Sequence, residues 1–244
     1  MEARSPGGSL LDVQGLTCIR RLQSGARIIA VRGLDLRLAA GERVALVGPA
    51  GCGKTTVLDV LAGLATPSAG HVHVFGRDLA ELRGQQLDEY RRTVVGYQRQ
   101  PAAAWLWPEL SALENLQAAM LGGLDPAGAR WQRAIDLLSA LGLASLRGRR
   151  PGQLGAADLQ RLALAMALAN RPALLLADEP AGELDPEGGE EILADLDALL
   201  HELGTAAVLA SCDIAVSHHA DRMVWLAGEQ DDLADTAAWA RLPE

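Results

Sequence analysis

Residues 44–56 read "VALVGPAGCGKTT", and this stretch decides the fold. The apolar run Val44–Val47 is short and ends at Gly48, as a buried parallel strand does. From Lys54 to Leu61 the pattern turns helical. Between them, Gly48, Gly53, Lys54 and Thr55 satisfy G-x-x-x-x-G-K-[ST] in strand–loop–helix context. The chemistry needs these residue types. Glycines let the backbone curl so that successive N–H groups converge on one anion, and the following helix presents its positive dipole end. Residues Gly48, Pro49, Ala50, Gly51, Cys52, Gly53, Lys54, Thr55 and Thr56 are therefore the expected nucleotide-phosphate cradle. Lys54 would reach the β- and γ-phosphates, and Thr55 would ligate Mg²⁺. Cys52 lies inside the loop, where its thiol is expected to be accessible without nucleotide.

A second chemical element stands at "PALLLADEP", residues 172–180. Its apolar strand ends in Asp178, followed by Glu179. A carboxylate at the carboxyl end of a parallel strand lies where α/β sheets bind ligands. Asp178 suits Mg²⁺, directly or through water, and Glu179 suits the polarising of an attacking water.

The rest of the chain fits around these elements. "LDLRL" alternates apolar and polar residues, the pattern of a half-exposed strand, and "HVHVFGRDL" reads as an edge hairpin. Residues from about 105 to 169 are mostly helical. After that come "ALLLADEP", a helix in "EEILADLDALLHELG", "TAAVLAS" and "RMVWLAG". Strand–helix–strand alternation predicts a parallel sheet with crossover helices. The expected fold is a single α/β domain over residues 1–244. It has an antiparallel β part near the N-terminus and a helical subdomain, about 101–168, inserted into the core. "EQDDLADTAAWARLPE" at the end reads as a short solvated helix.

Bulk properties narrow the function. With 244 residues and 49% hydrophobic content, the chain can bury a sizeable core. A net charge of −9 argues against a nucleic-acid binder with a broad basic face. Three cysteines, widely spaced, argue against disulfides and zinc and for a reducing compartment. The first fifteen residues lack the apolar core of a secretory signal, and no apolar run is long enough to span a bilayer. A cytosolic protein, or one held at a membrane by another chain, is expected.

The stretch "QLGAADLQR", residues 153–161, opens a helix on Gly, Ala and Ala. Together with "GPAGCGKTT", Gln100 in "VGYQRQP", "LSALENL", "LLLADEP" and "AGELD", it makes nearly the whole chain resemble the nucleotide-binding subunit of ATP-binding-cassette (ABC) transporters. The wording "PGQL", "ALENL" and "DEPAGELD" is most similar to the branch serving lipoprotein-release and macrolide-export permeases. The resemblance implies a P-loop ATPase that uses ATP and Mg²⁺. It implies a head-to-tail dimer with a second ABC ATPase chain, integral-membrane permease partners, and a place on the cytoplasmic membrane face. Glu179 is then the catalytic carboxylate. Thr55, Gln100 and Asp178 serve the metal, and Asp185 sits in the loop crossing the dimer interface. Leu154, Gly155, Ala156, Ala157 and Asp158 face the partner's nucleotide.

The sequence departs from the family pattern at three places. The signature normally reads Leu-Ser-Gly-Gly-Gln, and only Leu154 is retained. The lost Ser hydroxyl forfeits a hydrogen bond to a charged group, worth about 1.5–3 kcal/mol. Ser211–Cys212 stands where the family has Thr-His, and a thiol is a weak donor. His218 and His219 are expected to be solvated loop residues. "LTCIRR" lacks the aromatic that usually stacks on adenine, leaving Arg20 or Arg21 as candidates. The expectation is slow hydrolysis, with nucleotide-driven dimer closure as the main output. A non-hydrolysing regulatory module and a soluble ABC-type protein are the alternatives. Trp105 and Trp107 read equally as partner anchors or as core.

Overall fold

The computed structural model describes residues 9–21, 27–121, 123 and 126–227. The expected C-terminal helix lies outside them. The strands are β1 (Leu11–Arg21), β2 (Arg27–Leu38), β3 (Arg43–Val47), β4 (Ala69–Val74), β5 (Arg77–Asp78), β6 (Val95–Gln98), β7 (Leu174–Asp178), β8 (Ala206–Ser211) and β9 (Arg222–Trp225). The helices are α1 (Lys54–Leu61), α2 (Gln85–Thr93), α3 (Ala112–Ala119), α4 (Ala127–Ala140), α5 (Ala156–Leu168) and α6 (Pro186–Leu203).

Two sheets result. One is antiparallel, in the order β2-β1-β4-β5, and the other is parallel, in the order β6-β7-β8-β3-β9. The hairpin expected at residues 71–79 forms. However, β4 also pairs with β1, so it is an interior strand, and within the hairpin the two-residue β5 alone lies at an edge. In β2, Leu34, Leu36 and Leu38 are buried, while Asp35 and Arg37 are exposed, which fits a sheet with one wet face.

The central parallel strands β3, β7 and β8 are buried on both faces because alternate residues serve different cores. Leu174 and Leu176 of β7 join α1 and the antiparallel sheet in one cluster. Leu175 and Ala177 face α3, α4, α5 and α6 in the other. Helix α1 is the filling of the first cluster, and Leu58 and Leu61 are wholly buried there. Burying one such leucine contributes about 1.5–3 kcal/mol, so the helix after the phosphate loop is firmly seated. The helical block at 102–168 is not separate from the sheet. Its α5 lies against β6 so closely that a Cβ on Gly96 would come within 2.0 Å of the Ala167 carbonyl oxygen.

Candidate functional site

β3 runs directly into the glycine loop, and backbone geometry fixes that loop. A Cβ on Gly48 would lie 2.3 Å from the Leu226 carbonyl oxygen. One on Gly53 would lie 2.0 Å from the Ala30 oxygen, and Gly53 also has φ +102°. Both positions therefore require glycine. Helix α1 starts on Gly53 with no side-chain cap, so its first-turn N–H groups keep their capacity for an anion. The loop folds around Lys54, whose Nζ donates to the carbonyl oxygens of Gly48 (2.7 Å) and Pro49 (3.0 Å) and to Cys212 Sγ (3.1 Å). Thr55 Oγ1 donates to Asp178 Oδ2 at 2.8 Å.

Both carboxylates arrive from the end of β7, and the end of β8 supplies their neighbours. Asp178 closes β7 and is 5% exposed. Burial pushes its carboxyl above the usual aspartate range, the neighbouring Glu179 adding to the rise while the Thr55 hydroxyl opposes it. Glu179 has φ +49°, a backbone state that costs a side-chain-bearing residue about 1–3 kcal/mol. Its N–H donates to the Ala210 oxygen at 2.8 Å. Its Oε2 accepts from Ser211 Oγ and its Oε1 from the Cys212 N–H, both at 2.8 Å. Lys54 Nζ stands 3.8 Å from Oε1. Gly182 leaves the room beside it: a Cβ there would lie 3.0 Å from Glu179 Cβ and 3.6 Å from Gln100 Nε2. Gln100 is thus brought to the same place.

These residues fit a magnesium–nucleotide complex. Among the described residues no cluster of three or more His, Cys, Asp or Glu side chains could hold a metal by itself. Thr55 and Asp178 form a sparse oxygen set, and Mg²⁺ is usually held by one or two carboxylates together with phosphate oxygens and water. The glycine cradle and the uncapped α1 tip supply the phosphate side.

The 154–158 segment stands apart. Among the described residues no hydrogen bond or ion pair joins it to residues 48–56. Helix α5 begins on Gly155 with no side-chain cap, and Asp158 lies in its first turn. Gly155 and Ala156 are exposed, and Leu154 and Ala157 are packed at the edge of the second core. Asp185 caps α6, accepting from the Gly188 N–H at 3.1 Å.

Several sequence expectations are corrected. Cys52 is 5% exposed, because its sulfur tucks beneath Gly48; a Cβ on that glycine would come within 2.8 Å of it. The exposed cysteine is Cys212, whose thiol burial pushes up while the Lys54 ammonium pulls it down. His218 is exposed, as expected, but His219 is mostly covered, with Nε2 3.2 Å from Glu190 Oε1 of α6. Trp105 and Trp107 are 49% and 46% exposed, so neither is core. Arg20 has one weak anchor, Asp59 of α1 at 3.9 Å.

Arg99 is a residue the sequence reading missed. Its guanidinium lies over Tyr97 and Trp105 and pairs with Asp59 at 3.2 Å. Tyr97 donates its hydroxyl to the same carboxylate at 3.1 Å. Beside this stack lies a cavity of about 240 Å³, lined among others by Gln98, Leu106, Met166 and Asn170. Tyr97 and Trp105 are near in sequence, but no local pattern announced that they stack on Arg99, and its ion-pair partner Asp59 comes from the distant helix α1. Ser211, 32 positions from Glu179, was equally invisible as a partner.

Comparison with known proteins agrees with this geometry. Residues 31–182 match the ABC transporter family model. The chain is 36% identical over 225 residues to the lipoprotein-releasing system ATP-binding protein LolD of Roseobacter denitrificans, covering 92% of this chain and 98% of that one. It is 37% identical over 220 residues to the macrolide export ATP-binding/permease protein MacB of Rhodopseudomonas palustris, covering 90% of this chain and 33% of that one. Among solved structures, the ATP-binding cassette MJ0796, dimeric in a post-hydrolysis state with ADP and Pi, superposes with a TM-score of 0.80 at 30% identity. That match covers 90% of this chain and 97% of the other. A two-sheet cassette that aligns almost end to end with LolD and with MJ0796 leaves one assignment: this chain belongs to the ABC transporter family.

Proposed function

We propose that the chain is the ATP-binding subunit of a membrane complex, in which MgATP closes two ATPase chains head to tail and moves a permease. One observation carries the reading: the Thr55–Asp178 pair lies beside the glycine-wrapped Lys54 and the Glu179 carboxylate at one sheet edge. The bound nucleotide and its Mg²⁺ supply the phosphoanhydride bond and neutralise charge on the phosphates. The chain's own residues do the rest. Lys54 exchanges its carbonyl partners for phosphate oxygens, and the α1 tip presents N–H groups. Thr55, Asp178 and Gln100 hold the metal side, and Glu179 orients water. Residues 1–244 form a single ATPase domain, with the helical part at about 101–168 carrying residues 154–158 toward the opposing chain.

LolD and MacB are named for lipoprotein release and macrolide export, which supports a permease as partner and the cytoplasmic membrane face as location. No helix among the described residues is long and apolar enough to cross a membrane. Exposed Trp105, which lines the 240 Å³ cavity, and Trp107, exposed two residues on, are the partner anchors.

Hydrolysis is slow, because residues 155–158 and Cys212 lack the polar groups that would complete a γ-phosphate site. The test is a MgATP titration with a Lys54→Ala control, followed by ADP formation over hours in wild type and Glu179→Gln. Binding lost in Lys54→Ala, with ADP formed slowly only by wild type, is the expected result. Equal ADP from both proteins would make the chain a nucleotide-binding regulator. Turnover of several per second or more, as in ordinary transporters and kinases, would overturn the slow-hydrolysis reading.

A further inference from the structure

We propose that Ser211 is a positioning residue that aims the Glu179 carboxylate, an inference that rests on the hydrolytic reading above. Glu179 is the last group that strand geometry would place reliably. Its φ of +49° turns the chain away from the β7 direction, and its long side chain has freedom to spare. Two donors from the end of β8 remove that freedom: Ser211 Oγ takes one carboxylate oxygen and the Cys212 N–H takes the other, each at 2.8 Å. A carboxylate held through both oxygens has a fixed plane.

Donor bookkeeping makes the serine specific. A hydroxyl has one proton and two lone pairs. Here the Asp213 N–H donates to Ser211 Oγ at 3.0 Å. That bond occupies a lone pair and leaves the hydroxyl proton for Glu179 Oε2. Ser211 is 7% exposed, so bulk water does not compete for this proton. The same residue's carbonyl oxygen accepts from the Gly48 N–H at 3.3 Å. One residue therefore ties the entry of the phosphate loop, through its backbone, to the carboxylate, through its side chain. Only the side-chain half is removed by Ser211→Ala, and Ser211→Thr keeps the hydroxyl.

The test compares wild type, Ser211→Ala, Ser211→Thr and Glu179→Gln in three measurements. One is equilibrium MgATP affinity, and the second is ADP formation under single-turnover conditions. The third is the ¹³C side-chain carboxyl resonance of Glu179 in nucleotide-free protein, assigned by its loss in Glu179→Gln. In Ser211→Ala, affinity stays within about twofold, ADP formation slows about tenfold or more, and the Glu179 resonance moves. Ser211→Thr restores both. An unmoved resonance, or unchanged ADP formation, overturns the proposal. So does affinity falling as much as the rate, which would mark a merely structural serine. If wild type forms no more ADP than Glu179→Gln, the hydrolytic reading fails separately. The nucleotide-free resonance then decides alone whether Ser211 aims this carboxylate.

Discussion

Among the described residues three helices, α1, α2 and α5, begin on a glycine without a side-chain cap, and at α1 and α5 the glycines are there for opposite reasons. At the α1 tip, Gly53 sits at φ +102° with the Ala30 carbonyl where a Cβ would be. At the α5 tip, Gly155 has φ −74° and ψ 169°, a conformation open to any residue, and a Cβ would meet nothing nearer than Asp158 Oδ2 at 3.9 Å. The first glycine is imposed by packing. The second is not required by packing, and the family resemblance implies a serine at its place. The α1 edge is thus fixed by packing, while the α5 edge is exposed at Gly155 and Ala156 and carries one charge, Asp158, in its first turn.

The largest expected effect breaks the comparison at α1. Gly53→Ala must relieve both a forbidden φ and a backbone overlap, so it destabilises the protein by about 3 kcal/mol or more. Gly155→Ser places a preferred capping residue in open space and changes stability by only a few tenths of a kcal/mol, in the favourable direction. Chemical denaturation of the two variants checks this. Equal losses would mean that the α5 glycine is also structurally required.

The next effect is functional. Restoring the α5 edge with Gly155→Ser, Ala156→Gly, Ala157→Gly and Asp158→Gln, together with Cys212→His, should raise ATP turnover about tenfold or more. The recovered hydrogen bonds to charged groups are each worth about 1.5–3 kcal/mol. The same variant should be less stable than wild type, since each glycine in the first turn of α5 costs about 0.5–1 kcal/mol relative to alanine. Turnover and melting temperature moving in opposite directions is the signature. Turnover unchanged in the restored protein would place the defect elsewhere, with Arg20 at the end of β1 the first position to examine.

What the sequence revealed and concealed follows the same division. The strand–loop–helix at 44–61 was legible because phosphate binding needs contiguous residues, and spacing along the chain is spacing around the anion. Asp178 was legible because a buried parallel strand must deliver its last residue to the sheet edge. The burial of Cys52 was hidden, since it depends on the loop folding back beneath Gly48. Ser211, Arg99 and His219 were hidden for a related reason: their partners Glu179, Asp59 and Glu190 lie on other segments, and no local period records a contact between segments. The role of β4 was misjudged because a hairpin reads the same whether or not a third strand joins it.

The finest contrast lies in two aspartates, one on each edge. Asp178 is buried, and its folded-state carboxyl titrates above the ordinary 3.8, chiefly through desolvation. A raised carboxylate is least costly when protonated. Its contribution to stability is complete below the unfolded value and is lost as pH rises through the folded one. At neutral pH the ionised Asp178 therefore works against the nucleotide-free fold, a cost that the Thr55 hydroxyl hydrogen bond offsets in part. Asp158 sits in the first turn of α5, where a negative charge stabilises the helix by about 0.3–1 kcal/mol. Asp178→Asn should therefore raise the melting temperature of nucleotide-free protein at neutral pH, by an amount that shrinks toward zero as pH falls below the ordinary aspartate range. It should also abolish Mg²⁺-dependent tightening of nucleotide binding. Asp158→Gln should lower the melting temperature slightly and leave that tightening intact. Melting curves across pH, with and without Mg²⁺, separate the two. A destabilised Asp178→Asn would show that the Thr55 hydrogen bond outweighs burial, and that the α1 edge keeps its carboxylate for structure as well as for the metal.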